Sequence, residues 1–231
     1  VPTPVVFIHG FAGSARHWDR VIAKLPAGAF TPIALNVSEA EPLTPEGVTS
    51  LVSASTPGRF VLVGYSMGGR LALHTALAIP ERVARLVLLS ASAGIADDLE
   101  RAARAAADEA LASEIERAPI AQFIERWRSV PLFADDPDWL ADEVAMDQSR
   151  CTPAQLAASL RGLGPGAMAP MWTSLGELRM PVAVLAGADD RAYVESGRRL
   201  AAEIPNATFS ALAGAGHRLA LQAPEAVARA I

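Results

Sequence analysis

Residues 5–8, 60–63, 86–89 and 182–186 are four short apolar runs, rich in Val, Leu and Ile, each closed by turn residues and none alternating with polar positions. Strands buried on both faces of a parallel sheet have this pattern, because helices cover each side. Residues 30–35 and 207–212 are weaker strand candidates. Helical stretches fall between them at 15–25, 45–55, 68–79, 194–203 and 224–231. Strands alternating with helices predict an α/β fold with a mostly parallel, doubly wound sheet. The rhythm breaks between residues 95 and 176. No strand candidate occurs there, and the stretch reads as four or five helices punctuated by Pro119, Pro131, Pro137, Pro153 and Pro165. An insertion of roughly 80 residues is far longer than a loop, so it predicts a helical cap on a core of residues 1–94 and 177–231.

Composition narrows the function. The 231 residues are 51% hydrophobic and 19% charged, which excludes intrinsic disorder. The net charge of −5 argues against sequence-independent binding to nucleic acid or to an anionic membrane. No apolar run reaches the length of a membrane span. One cysteine, Cys151, excludes an internal disulfide and a multi-cysteine zinc site, and is expected to be a buried small residue. With no secretory signal in view, the expected compartment is the cytoplasm.

The chemistry centres on Gly64-Tyr65-Ser66-Met67-Gly68, which follows the run at 60–63 and opens the helix near Gly68. A G-x-S-x-G turn between strand and helix holds a serine on a sharp bend above the sheet, and small residues two positions either side let strand and helix approach. A serine needs an imidazole to take its proton. Of His9, His17, His74 and His217, only His217 lies well after the elbow, in a Gly-rich loop past the last strand candidate. His9 is expected to shape the loop after the first strand, His74 to pack within its helix, and His17 to sit on the surface or at a helix entry without a chemical role. The acid should follow the run at 182–186. Asp190 is favoured and Asp189 is the alternative; the acid would fix the imidazole tautomer. Two backbone N–H groups would complete an oxyanion hole, that of Met67 and, from the loop 9–13, that of Phe11.

The Phe7-Ile8-His9-Gly10-Phe11 turn, the elbow, the Gly187-to-Asp190 turn and Ala215-Gly216-His217 together resemble the α/β-hydrolase superfamily. A narrower resemblance rests on Gly64 to Arg70 with Leu71-Ala72-Leu73, on Trp127 with Pro131-Leu132-Phe133, and on Leu160 to Gly164 with Trp172. These stretches resemble the 2-succinyl-6-hydroxy-2,4-cyclohexadiene-1-carboxylate synthases of menaquinone biosynthesis. The resemblance implies a lyase that eliminates pyruvate from a small polycarboxylate substrate, with Ser66, Asp190 and His217 as its triad and no metal or organic cofactor. It further implies substrate contacts from Tyr65, Arg70, Arg104, Trp127 and Arg150. Arginine forks suit carboxylates, and a chain of net negative charge needs a local cationic pocket to hold a polyanion. The chain departs from the family in a shortened segment after residue 35 and in Met168, where the family tends to have Gln. A serine hydrolase acting on an ester or a carbon–carbon bond is the alternative within the fold, and a non-catalytic binding module the alternative outside enzymes.

Overall fold

The computed structural model describes residues 1–133 and 136–231. Its six strands are β1 (Thr3–Ile8), β2 (Phe30–Leu35), β3 (Phe60–Tyr65), β4 (Val83–Leu89), β5 (Val182–Gly187) and β6 (Ala207–Leu212). They form one sheet in the order β2-β1-β3-β4-β5-β6. Every neighbouring pair is parallel. The four strong apolar runs are the four central strands, as expected. The two weak candidates are the edges, half exposed, which is why their pattern is diluted. Pro32 stands within β2 opposite Val5. An edge strand tolerates that proline because one of its sides needs no ladder donor.

The helices are α1 (Asp19–Ile22), α2 (Pro45–Ser55), α3 (Met67–Ala78), α4 (Asp98–Arg117), α5 (Ile120–Arg128), α6 (Ala141–Gln148), α7 (Pro153–Leu163), α8 (Arg191–Glu203), α9 (Leu219–Gln222) and α10 (Pro224–Ala230). Alternation along each strand splits the core into two layers. Val6, Ile8, Leu62, Leu86, Leu88 and Val184 pack with residues of α2, α3 and α8. Val5, Phe7, Val63, Val87, Leu89 and Leu185 pack with Trp18 and with residues of α9 and α10. The expected helix at 15–25 is a 3-10 turn, Ala15–Trp18, leading into the single turn of α1.

Among the described residues four α-helices, α4 to α7, lie between β4 and β5. Prolines start two of them: Pro119 stands at the N-cap of α5 and Pro153 opens α7 behind a Thr152–Gln155 capping box. Ala112, Ile115, Phe123, Leu156 and Leu160 form a separate apolar cluster, and Phe11 and Ala12 from the loop after β1 pack into it. The inserted helices therefore rest on the loop that adjoins the serine. Among the described residues no helix is long and apolar enough to cross a membrane.

Candidate active site

Ser66 sits between β3 and α3 with φ 54° and ψ −114°, a backbone conformation that costs energy for a residue with a side chain. The packing around it explains the neighbouring glycines. A Cβ on Gly64 would stand 2.3 Å from the Gly68 carbonyl, and one on Gly68 would stand 2.2 Å from the Ile8 carbonyl. Neither could carry a side chain while strand, helix and β1 meet so closely. A Cβ on Gly10 would press on the Tyr65 ring at 2.8 Å and on Ser66 Cβ at 3.4 Å, so the loop after β1 lies directly over the serine.

His217 Nε2 lies 3.1 Å from Ser66 Oγ, and His217 Nδ1 lies 2.7 Å from Asp190 Oδ2. His217 and Asp190 are 2% and 8% exposed. Gly187 makes the pairing possible: its Cβ would collide with the Ala215 carbonyl at 2.1 Å, so only a glycine lets the end of β5 touch the loop that carries His217. Asp190, not the exposed Asp189, faces the imidazole. Asp189 instead gives its N–H to the Ala215 carbonyl at 3.1 Å, tying the two loops together.

His9 bridges two loops. Its Nε2 accepts the Val37 N–H at 3.0 Å, so its Nδ1 carries the proton and donates to the Gly10 carbonyl at 2.7 Å. Burial pulls its pKa down and favours this neutral tautomer. Met67 opens α3, where an N–H has no intrahelical acceptor. Phe11 lies within the turn closed by the Gly13 N–H on the Gly10 carbonyl at 3.2 Å.

Arg70 is 5% exposed, and its guanidinium donates to the Leu163 carbonyl at 3.1 Å. Desolvation lowers its pKa most; Tyr193 and Asp108 push it up and Arg104 pushes it down, which brings all four groups into one electrostatic neighbourhood. Arg104 Nε donates to Asp108 Oδ1 at 2.8 Å. Asp108 is 5% exposed, and a Cβ on Gly164 would reach its Oδ2 at 2.7 Å, so the end of α7 packs onto α4 at this pair. Trp127 packs against Phe11 at 5.1 Å and Phe133 at 5.9 Å, and Phe133 reaches the His217 ring at 5.8 Å. Two cavities flank the loop after β1. One, of about 150 Å³, is lined by Phe11, Tyr65, Gln148, Arg150 and Arg218. The other, of about 410 Å³, is lined by His9, Met67, Arg150, Gln155 and Ser159.

Residues 5–230 match the family described as Alpha/beta hydrolase family. The chain belongs to that family. It is 30% identical, over 95% of its own length and 85% of the relative's, to a Bacillus subtilis (strain 168) protein assigned to the 2-succinyl-6-hydroxy-2,4-cyclohexadiene-1-carboxylate synthases. It is 28% identical to the synthase of that name from Serratia proteamaculans (strain 568), over 97% of this chain and 89% of the relative. The structure of MenH from S. aureus superposes with a TM-score of 0.91 at 26% identity, covering 98% of this chain and 91% of that one.

In this alpha/beta hydrolase the expected residues fall into three groups. Ser66, Asp190 and His217 are joined by hydrogen bonds. Phe11, Tyr65, Met67 and Arg150 line the two cavities beside the loop, with Arg150 exposed. Arg70 and Arg104 stand with Asp108 and Tyr193. Trp127 belongs to an aromatic wall between the first and second groups. His17 is not at the surface. It is buried and stacked on Tyr65 at 4.6 Å, because the 3-10 turn that carries it folds inward under the elbow. His74 packs as expected, with Nδ1 3.2 Å from Thr49 Oγ1. Cys151 is only partly buried, and desolvation pushes its thiol up to about 11. Met168 is buried in the core cluster that includes residues of α3. Two residues about His217 escaped sequence reasoning. Arg218 donates to Asp136 at 2.6 Å and lies over Phe133 at 3.9 Å. Tyr193 reaches the His217 ring at 4.5 Å. The available signals were adjacency to His217 for Arg218 and the three-residue step from Asp190 for Tyr193.

Proposed function

We propose that the chain is a carbon–oxygen lyase that removes pyruvate from a small polycarboxylate cyclohexene, as the synthases of menaquinone biosynthesis do, and that it works in the cytoplasm. Ser66, His217 and Asp190 form its proton relay. The observation that carries the reading is the unbroken hydrogen-bond chain from Asp190 through His217 to Ser66, with buried Arg70 and its neighbour Arg104 close by. An ester-cleaving site needs the first feature; a polyanion needs both.

Asp190 accepts a hydrogen bond from the His217 Nδ1–H, which stays on the imidazole, and this leaves Nε2 free to take the proton of Ser66. The serine oxygen then removes a proton from substrate carbon. The C–H electrons form a ring double bond as the carbon–oxygen bond breaks, and enolpyruvate leaves and becomes pyruvate. The imidazolium proton returns to the leaving fragment or to solvent. The N–H groups of Met67 and Phe11 face the charge that develops on substrate oxygen. Arg70, Arg104 and Arg150 hold carboxylates, and Tyr65 and Trp127 form apolar walls. The inserted helices act as a cap that keeps water from the relay.

A serine hydrolase would use the same relay, so the test has two arms. Pyruvate release from the cyclohexene substrate is followed beside hydrolysis of a short-chain p-nitrophenyl ester, for wild type and Ser66→Ala. The reading requires serine-dependent pyruvate release, lost by about 10³-fold or more in the variant, with poor esterolysis. Ester turnover without pyruvate release would replace it with the hydrolase.

A further inference from the structure

His217 stands in the loop before α9, and α9 is a single turn, Leu219–Gln222. One turn of helix has little stability of its own, so that loop takes its shape from what packs on it. Asp136, in the insertion, supplies a hold. Its Oδ2 accepts the Arg218 Nε–H at 2.6 Å, and its Oδ1 accepts from Gln222 Nε2 at 3.0 Å. Gln222 Oε1 in turn accepts the Gly216 N–H at 2.5 Å. The backbone N–H demands the amide oxygen, which turns the NH2 of Gln222 towards the carboxylate. One carboxylate thus grips the chain on both sides of His217, at Arg218 directly and at Gly216 through Gln222. Both side chains of the Asp136–Arg218 pair are largely buried, where a charge-assisted bond is strong. Phe133 joins the contact. The Asp136 N–H donates to its carbonyl at 3.1 Å, the Arg218 guanidinium lies 3.9 Å over its ring, and the ring stands 5.8 Å from the imidazole.

We propose that Asp136 is a positioning residue, which keeps the His217 imidazole in line with Ser66 by clamping Gly216 and Arg218. The inference rests on His217 acting as the base of the relay proposed above. Asp190 holds the ring through Nδ1 at 2.7 Å, and Nε2 must stay aligned with Ser66 Oγ, 3.1 Å away. A ring held by Asp190 alone can pivot about that contact, and a displacement of about 1 Å costs about 10²-fold in rate. Asp189 fixes the loop at the Ala215 carbonyl, two residues short of the imidazole. Asp136 fixes it at both neighbours, which removes the pivot. Asp136 and Phe133 belong to the insertion, and residues 216–222 belong to the core. Seating this part of the insertion and aligning the base are therefore one event. No proton passes through Asp136.

The test uses the whole chain and both substrates, the polycarboxylate and the p-nitrophenyl ester. Asp136→Asn keeps the shape but sets an NH2 against one of the two donors. It should lower kcat by about 10- to 10²-fold on whichever substrate wild type turns over, with KM within about threefold. Combining it with Gln222→Glu restores the match. The amide at 136 then accepts from Arg218 and donates to the carboxylate at 222, which still accepts the Gly216 N–H. This double variant should recover kcat to within about threefold of wild type, whereas Gln222→Glu alone, with two carboxylates facing each other, should not. A second readout needs no substrate. The Nδ1 proton resonance of His217, identified by its absence from His217→Gln, should shift or broaden in Asp136→Asn and return in the double variant. An unaltered resonance would overturn the proposal. So would a rise in KM with kcat kept, which would make Asp136 a tether for the insertion alone, and so would a double variant no better than the singles. If His217→Gln keeps full turnover, the relay reading fails and the catalytic consequence fails with it, while the resonance still reports whether Asp136 holds the ring. Ester turnover without pyruvate release would remove the lyase reading and leave the clamp measurable on the ester.

Discussion

Asp189 and Asp190 are chemically identical neighbours, and the fold separates them. Asp190 is buried against the imidazole, whereas Asp189 points to solvent. Asp190→Asn should therefore keep the fold and lose about 10⁴-fold in kcat, since an amide cannot hold the working tautomer. Asp189→Asn should stay within a few-fold, and pyruvate release by both variants checks this. His17 supplies a second prediction, about stability. Burial first, then Arg218, His9 and His217, hold its pKa down at about 3, against 6.5 for the free side chain. The folded pKa lies below the unfolded one, so the unfolded chain binds the extra proton. The stabilising contribution is present above about 6.5 and is lost as pH falls towards 3. By pH 4.5 that loss is on the order of 2–3 kcal/mol. His17→Phe can keep the stack on Tyr65 and has nothing to protonate. Urea midpoints at pH 7 and 4.5 should show a smaller acid loss in the variant than in wild type; equal losses would mean that His17 does not drive acid sensitivity. Residue positions were legible wherever a motif fixed the backbone, as at Ser66, Asp190 and His217, which hydrogen bonds join. They were not legible for His17 and Tyr193, whose places depend on how a turn folds inward or which way a helix face points.

At the scale of elements, legibility followed burial. Central strands are covered on both sides and wrote continuous apolar runs into the chain. The edge strands β2 and β6 mix buried with exposed positions and left fainter traces. Helix–helix packing in the insertion was less readable, because it depends on glycines whose purpose appears only in contact. A Cβ on Gly166 would stand 2.3 Å from the Ala105 backbone nitrogen, and no side chain can yield there. Gly166→Ala must push α4 away, and Arg104, adjacent to Ala105, moves with it. Overpacking of about 1–3 kcal/mol predicts a Tm lower by roughly 3–10 °C. KM for the anionic substrate should rise along with it. Gly176→Ala is the control, since a Cβ there meets nothing within 4 Å. Calorimetry on the two variants separates a specific contact from a general sensitivity of glycine positions.

For the whole molecule, the net charge of −5 and the proposed substrate have the same sign. At long range the chain repels a polycarboxylate; at the site the arginines attract it, and the nearer charges decide the binding energy. Several of those arginines are already committed. Arg104 is shared with Asp108, and Arg218 with Asp136. Arg150 is exposed and borders both cavities beside the loop after β1. Arg104→Ala and Arg150→Ala should each raise KM for the polycarboxylate by about tenfold or more, about 1.4 kcal/mol, and leave a neutral aryl ester within about threefold. Salt gives the complementary measurement. Added salt should raise KM of wild type for the anion, because it screens the attraction that holds the bound ligand. In the double variant the repulsion of the remaining charge is what salt screens, so the dependence should flatten or reverse. A double variant whose salt dependence matches wild type would mean that neither arginine meets the substrate's charge.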